Sequence, residues 1–189
     1  MDRLSDDASR CADYARFAAI DEAIKSGDLE ALGGAVEDPG RILDVSLHEA
    51  IGSCLEYAIY HAPSSFIRQI LELGADPNPA DHAGFPPLIA ALSCSRPHAG
   101  STARSDVLEI LELLLRAGAD PDQRGLNDYT PLHMAVAEGN AGAVVLLLAH
   151  GADPALRTRI DDLETPREIA EALGNAELAA LLAAAEAER

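Results

Sequence analysis

The sequence predicts an all-α repeat array, an α-solenoid built from pairs of short helices. Three observations point there. The apolar residues of this 189-residue chain are chiefly Ala and Leu, with four Tyr, three Phe and no Trp, which favours helices over strands. Three segments end alike: LELGADPN at 71–78, LLRAGADPD at 114–122 and LLAHGADPA at 147–155. Each copy reads as two amphipathic helices separated by a Gly or a Pro, too short to bury an apolar face alone, so the copies must stack.

The elements follow in order. FAAIDEAIKSGDLEALGGAV at 17–36 is a divergent first pair. Ser53 lies 21 residues before Gly74, and Thr130 lies 21 before Gly151. The middle copy runs 32 residues from Pro86 to Gly118, so it carries 11 extra. A last copy begins at Thr165, with TPREIAEALGNAELAALL. In the 130–154 copy Thr130 is a good N-cap, its hydroxyl accepting an orphan backbone N–H, and Pro131 sits where a missing N–H costs nothing. Val144, Val145, Leu147 and Leu148 recur at helical spacing and are expected to bury against the neighbouring copy. Gly151 supplies the left-handed turn that stops the second helix. Asp106 and Glu109 have capping-box spacing, so a helix is expected to start there.

The chain carries a formal charge of -18 at pH 7. That argues against phosphate backbones and anionic membranes, which are held by Lys and Arg, and fits a partner with a basic or apolar patch. No run approaches eighteen uninterrupted apolar residues, so no membrane span is expected. Cys11, Cys54 and Cys94 form no CxxC pair and stand near no zinc-spaced histidines, so neither metal, cofactor nor disulfide framework is expected. The odd count and an acidic N-terminus without a secretory apolar core point to a reducing cytoplasm. There is no GxxxxGK[ST] loop, no GxGxxG after a strand, no HExxH and no nucleophile motif, so the chain is not expected to be an enzyme.

With TPLHMAVAEGN at 130–140 followed by the GADP turn, the chain resembles the ankyrin repeat, whose period is 33 residues with a TPLHxA signature. The intervals between copies are 33, 44 (33 plus the insertion) and 35 residues. In the first pair Ala23 falls at the signature alanine and Gly27 at the glycine between helices. The resemblance covers roughly residues 14 to 185. It divides the chain into an acidic, flexible tail over 1–13 and an array over 14–189. Within the array, 14–45 is an N-terminal cap repeat, 46–80 a repeat, 81–124 a repeat with an insertion at 93–105, 125–158 a repeat and 159–189 a C-terminal cap repeat. About five repeats result, counting the divergent ends.

The resemblance implies β-hairpin fingers between repeats. These fingers and the first helix of each pair would line a concave surface that binds another protein. Carried over copy by copy, the family's display positions select Tyr60, His61, His82, Phe85, Leu126, Asn127, Tyr129, Glu138, Asp161, Asp162 and Glu164. Phe85 and Tyr129 hold the same position in successive copies, directly before the helix start. Aromatics with a polar rim resemble binding hot spots, although each ring could instead pack over a neighbouring finger. The acids near 160–168 would steer a basic partner. In the family His133 is a structural hydrogen-bonding residue rather than a catalytic one, and His61 with His82 lacks a third ligand for a metal.

The insertion has no acid and holds Arg96, His98 and Arg104. It reads first as a tolerated surface loop, and otherwise as a second contact site or a loop folded back on the protein's own acidic surface. The function expected is a non-enzymatic protein-binding module with no cofactor, nucleic acid or membrane, and a monomer is favoured. The alternatives are a stoichiometric inhibitor or antitoxin-like acidic protein that blocks a basic site, an enzyme, and a self-associating structural protein.

Overall fold

Helix-forming sequence broken at regular Gly, Pro and Ser/Thr positions yields helix pairs. The computed structural model describes residues 3–36, 53–79, 85–96, 103–125, 128–159 and 163–188, with side chains from Tyr14 onward. The described residues form ten helices and no strand. The pairs are α1 (Arg3–Ser26) with α2 (Leu29–Ala35), α3 (Cys54–His61) with α4 (Ser64–Glu72), and α5 (Pro87–Ser93) with α6 (Val107–Arg116). Then come α7 (Pro131–Ala137) with α8 (Ala141–Ala149), and α9 (Pro166–Ala172) with α10 (Ala176–Ala187). The chain divides into two compact units, Met1–Asp76 and Pro77–Arg189.

In the first unit α1 packs on α2 and α3, and α3 on α4. Its core holds Ile24, Leu32, Ile59, Phe66, Ile67 and Ile70, all nearly or fully inaccessible. Asp28 caps α2 by accepting the Ala31 N–H at 2.9 Å. α1 already begins at Arg3, inside the stretch 1–13 that the sequence set apart as an acidic tail. The segment RLSDDASRCADYAR contains neither Gly nor Pro, so nothing in it stops a helix from continuing back toward the N-terminus.

In the second unit the first helices pack in the order α5, α7, α9 and the second helices in the order α6, α8, α10. Leu88, Leu92, Ile110, Leu111 and Leu114 fill the first pair, Leu132, Val144 and Leu147 the next, and Leu178 and Leu182 the last. Five residues after the N-caps of α3, α5, α7 and α9 stands an alanine, and Ala23 holds the same place in the repeat frame within the longer α1. Ala58, Ala91, Ala135 and Ala170 are wholly inaccessible and Ala23 is nearly so. A methyl group at that place lets neighbouring helices approach closely, and a larger side chain would overpack it.

Thr130 caps α7 as expected, and Thr165 caps α9 in the same way; both close capping boxes. Gly151 takes φ 89°, the left-handed turn expected after α8, and Gly74 and Gly118 do the same after α4 and α6. Two expectations are corrected. Val144 and Leu147 are buried, but Val145 is 54% exposed and Leu148 half-buried, because the packed stripe is narrower than the apolar one. α6 starts after Asp106 without a side-chain cap: the Arg104 guanidinium takes that carboxylate instead, at 2.9 and 2.6 Å.

The fingers, expected as β-hairpins, contain no strand among the described residues. Backbone bonds close their described parts: Gly125 N–H to the Tyr129 carbonyl at 2.9 Å with Asp128 N–H to the Gly125 carbonyl at 3.0 Å, and Thr158 N–H to the Glu164 carbonyl at 3.0 Å. Residues 80–84, 126–127 and 160–162 lie outside the described residues.

Candidate protein interface

The TPLH segment fixes the geometry of the finger face in the second unit. His133 Nδ1 lies 2.8 Å from Thr130 Oγ1 and accepts the Thr130 N–H at 3.2 Å. With Nδ1 accepting, Nε2 carries the proton and donates to the Glu164 carbonyl at 3.1 Å, in the next finger. Burial of the ring holds its pKa below the ordinary 6.5. Its role is therefore the structural tie implied by the family resemblance. Tyr129 lies against the same ring, centroids 5.6 Å apart, and is half-buried.

Phe85 stands directly before α5, at the matching position, and is 42% exposed. Glu164 is half-buried, and its backbone is committed on both sides: the carbonyl to His133 and the N–H to Thr158 Oγ1 at 3.1 Å. Glu138 is also engaged. Arg96, from the start of the insertion, donates to the Glu138 carbonyl at 3.0 and 2.6 Å and pairs with its carboxylate at 3.2 Å. The Asn140 amide reaches Ser95 Oγ at 3.2 Å. Gly139, at φ 65°, permits this approach, since a Cβ there would meet the Arg96 guanidinium at 3.3 Å.

The beginning of the insertion thus folds back on the neighbouring repeat, the alternative placed behind a plain surface loop in the sequence reading. Its base is pinched by the Arg104 N–H bonding the Cys94 carbonyl at 3.0 Å. Residues 97–102, including His98, lie outside the described residues.

In the first unit Tyr60 is half-buried and His61 is exposed, its ring 4.4 Å from Tyr57 and 6.2 Å from Tyr60. Tyr57 donates to Asp21 at 2.5 Å, and burial together with that carboxylate pushes its hydroxyl up to about 12. The remaining expected display residues, His82, Leu126, Asn127, Asp161 and Asp162, lie outside the described residues.

Two features of this face escaped the sequence reading. The first is a lattice of arginines and acids across the fingers. Asp128, buried at φ 61°, accepts Arg124 Nη1 at 2.8 Å, Arg159 Nε at 2.9 Å and Arg159 Nη2 at 2.6 Å, and also takes the Arg159 backbone N–H. The Arg159 guanidinium holds the Asp128 carboxyl below its ordinary range, against the opposing pull of desolvation. Arg157 grips Glu168 with two bonds of 2.8 Å, and that guanidinium, with the Thr165 N–H, brings the Glu168 carboxyl down to about 2.

The second is a turn-to-turn ladder. Asn78 donates to the Gly118 carbonyl at 2.8 Å and accepts the Asp120 N–H at 2.6 Å. Asp122, its counterpart one repeat on, accepts the Asp153 N–H at 2.9 Å. The signal was present: an Asn or Asp four residues after the turn glycine in GADPN and GADPD, replaced by Ala155 in the last such turn.

Burial pushes the Cys54 thiol up to about 11 and raises that of Cys94, the opposite of an activated nucleophile. Among the described residues no group of three His, Cys, Asp or Glu could hold a metal ion. No described helix is long and apolar enough to cross a membrane.

Paired helices, a threonine-capped TPLH start and left-handed glycine turns define a helical repeat protein of the ankyrin class. Residues 98–188 match the family model described as ankyrin repeats, in three copies. The chain therefore carries an ankyrin repeat array of the all-α solenoid class, and residues 98–188 belong to that family. It is 30% identical over 155 residues to the ankyrin repeat protein nuc-2 of Neurospora crassa, covering 82% of this chain and 13% of that protein. It is 31% identical over 125 residues to XBAT35 of Arabidopsis thaliana, 65% of this chain and 24% of that one. It is 56% identical over 41 residues to the mouse (Mus musculus) ankyrin repeat and SOCS box protein 16, 22% of this chain and 9% of that one. This chain thus spans less than a quarter of the length of each of these three relatives. Ankyrin repeats are protein–protein interaction modules.

Proposed function

We propose that the unit Pro77–Arg189 is a non-enzymatic module that binds a partner protein through its finger and first-helix positions, with Phe85 and Tyr129 as anchors. The observation that carries this reading is the exposure of Phe85, a large ring left 42% open at the entrance to a helix whose own residues are nearly all buried. Tyr129 occupies the same repeat position one copy on, beside a ring already fixed by three hydrogen-bonding contacts. A rigid aromatic platform of this kind loses little entropy on binding. The charge of -18 supports a partner with a basic or apolar patch. Leu126, Asn127, His82, Asp161 and Asp162 belong to the same set of positions by sequence, and Tyr60 and His61 hold the matching places in their own unit. Glu138 and Glu164, already bonded within the array, act as rim rather than anchor. The free thiols of Cys54 and Cys94 support a reducing, cytoplasmic setting.

An affinity capture from cell extract, comparing wild type with Phe85→Ala/Tyr129→Ala, tests the reading. A protein retained by wild type and lost from the folded double variant supports it. Equal capture by both removes the anchors. The acidity also favours a second reading, in which the module blocks a basic nucleic-acid-binding or enzyme site. A captured partner that loses activity on binding would select it over a neutral adaptor.

A further inference from the structure

α10, with sequence AELAALLAAAEA, is apolar nearly all round. A helix of that composition is normally covered on every side. Leu178 and Leu182 face inward and are buried. On another side Leu181, Ala184 and Ala185 face Val145, Leu148 and Ala149 of α8 across an open groove of about 520 Å³. Val145 is 54% exposed in its wall. The groove lining includes one charged side chain, Glu188, and no cation.

The charges of α10 are placed at its ends. Glu186 is used internally, 3.2 Å from Arg167 Nε. Glu177, Leu181, Ala184 and Glu188 are spaced by four, three and four residues, so they form one stripe along the helix. The two carboxylates of that stripe are exposed, stand about 16 Å apart along the helix axis, and pair with no cation among the described residues. An apolar furrow between two helices, with Glu188 in its wall and Glu177 one turn beyond Leu181 on the same stripe, has a definite complement. It is a third helix with an apolar stripe at i, i+3/i+4 and i+7, and an Arg or Lys at either end of that stripe.

We propose that the α8–α10 groove receives an amphipathic helix from a basic partner protein. The groove is built by second helices and involves none of the finger positions, so this binding is separate from that of the Phe85 face. A second copy of this chain is disfavoured by charge, since a chain of charge -18 would bring further carboxylates to a groove whose one charged lining residue is already Glu188.

The test uses two synthetic helical peptides with the same Leu stripe, one with Arg at both ends of the stripe, eleven positions apart, and one with Glu there. Binding is read by fluorescence anisotropy against the full chain. The Arg-ended peptide should bind saturably and about tenfold or more tighter than the Glu-ended one. Glu177→Lys/Glu188→Lys should reverse that order. Val145→Glu should abolish binding while circular dichroism and melting stay at wild-type values, and Ala184→Glu serves the same end should the first variant fold poorly. Absence of saturable binding, equal binding of the two peptides, or binding untouched by the charge reversal and by both groove variants would overturn the proposal. So would sedimentation showing a dimer that Val145→Glu dissociates, which would assign the groove to a second copy.

Discussion

Asn78 and Asp120 are joined across successive repeats: Asn78 Oδ1 takes the Asp120 N–H at 2.6 Å while its amide gives to the Gly118 carbonyl at 2.8 Å. One side chain thereby satisfies a donor and an acceptor of the next GADP turn. Asn78→Ala should destabilise the protein by about 1–2 kcal/mol, the range for losing such bonds at a partly exposed site. Asn78→Asp keeps the acceptor and loses the donor, so it should fall between wild type and Ala. Urea denaturation checks this through a lowered midpoint at unchanged slope. A midpoint unmoved by Asn78→Ala would show that water replaces both bonds without cost.

His133 predicts a pH dependence. Its folded pKa lies below the unfolded value of 6.5, so the unfolded chain takes up a proton first as the pH falls. The stability contributed by the neutral ring is complete above pH 6.5 and is lost as the pH drops from there toward the folded pKa. His133→Gln, which keeps a donor for the Glu164 carbonyl, should cost about 1–3 kcal/mol at pH 7.5 and flatten the stability profile between pH 7 and 5. Thermal melts across that window read both. An unchanged slope in the variant would place the titration elsewhere.

Glu168 is controlled by Arg157. Its folded pKa of about 2 lies below its ordinary 4.5, so the pair contributes stability above the unfolded value and loses it as the pH falls toward 2. Arg157→Gln should return the Glu168 carboxyl toward 4.5, which a carbon-detected NMR titration follows directly. A titration that stays near 2 would mean that the Thr165 N–H and the start of α9 suffice without the arginine.

Ala135 is wholly inaccessible at the place where first helices meet. Ala135→Leu should destabilise by about 1–3 kcal/mol through overpacking, while Ala141→Leu on the exposed start of α8 should have little effect. Equal melting temperatures for the two variants would disprove close packing at Ala135.

The helices and their stops were readable because they depend on local chemistry: a threonine that caps, a proline at the first turn, a glycine that turns left. The alanines at the signature place mark the repeat register in the sequence, and their burial is a finding of the structure. Val145 and Leu148 were misjudged because apolar character shows what a side chain can pack against, and the arc actually covered depends on the neighbour's angle. Asp106 was assigned to a cap it does not make, since the sequence does not reveal that Arg104 competes for it two residues away. The Asn78 ladder and the grip of Arg159 on Asp128 join residues about thirty to forty apart, whose partners become visible only when the repeats are stacked. For the proposed interface, register in the sequence set Phe85 and Tyr129 at matching positions, while the commitment of Glu138 to Arg96 required coordinates.

The bond between the Cys94 carbonyl and the Arg104 amide closes the insertion at its neck. α5 and α6 therefore meet as they would with a short turn, whatever length of chain hangs beyond that point. This makes the neck a splice site: a foreign epitope or a second binding segment inserted between residues 97 and 102 would be carried as cargo at a fixed address, leaving the register of the repeats on either side untouched.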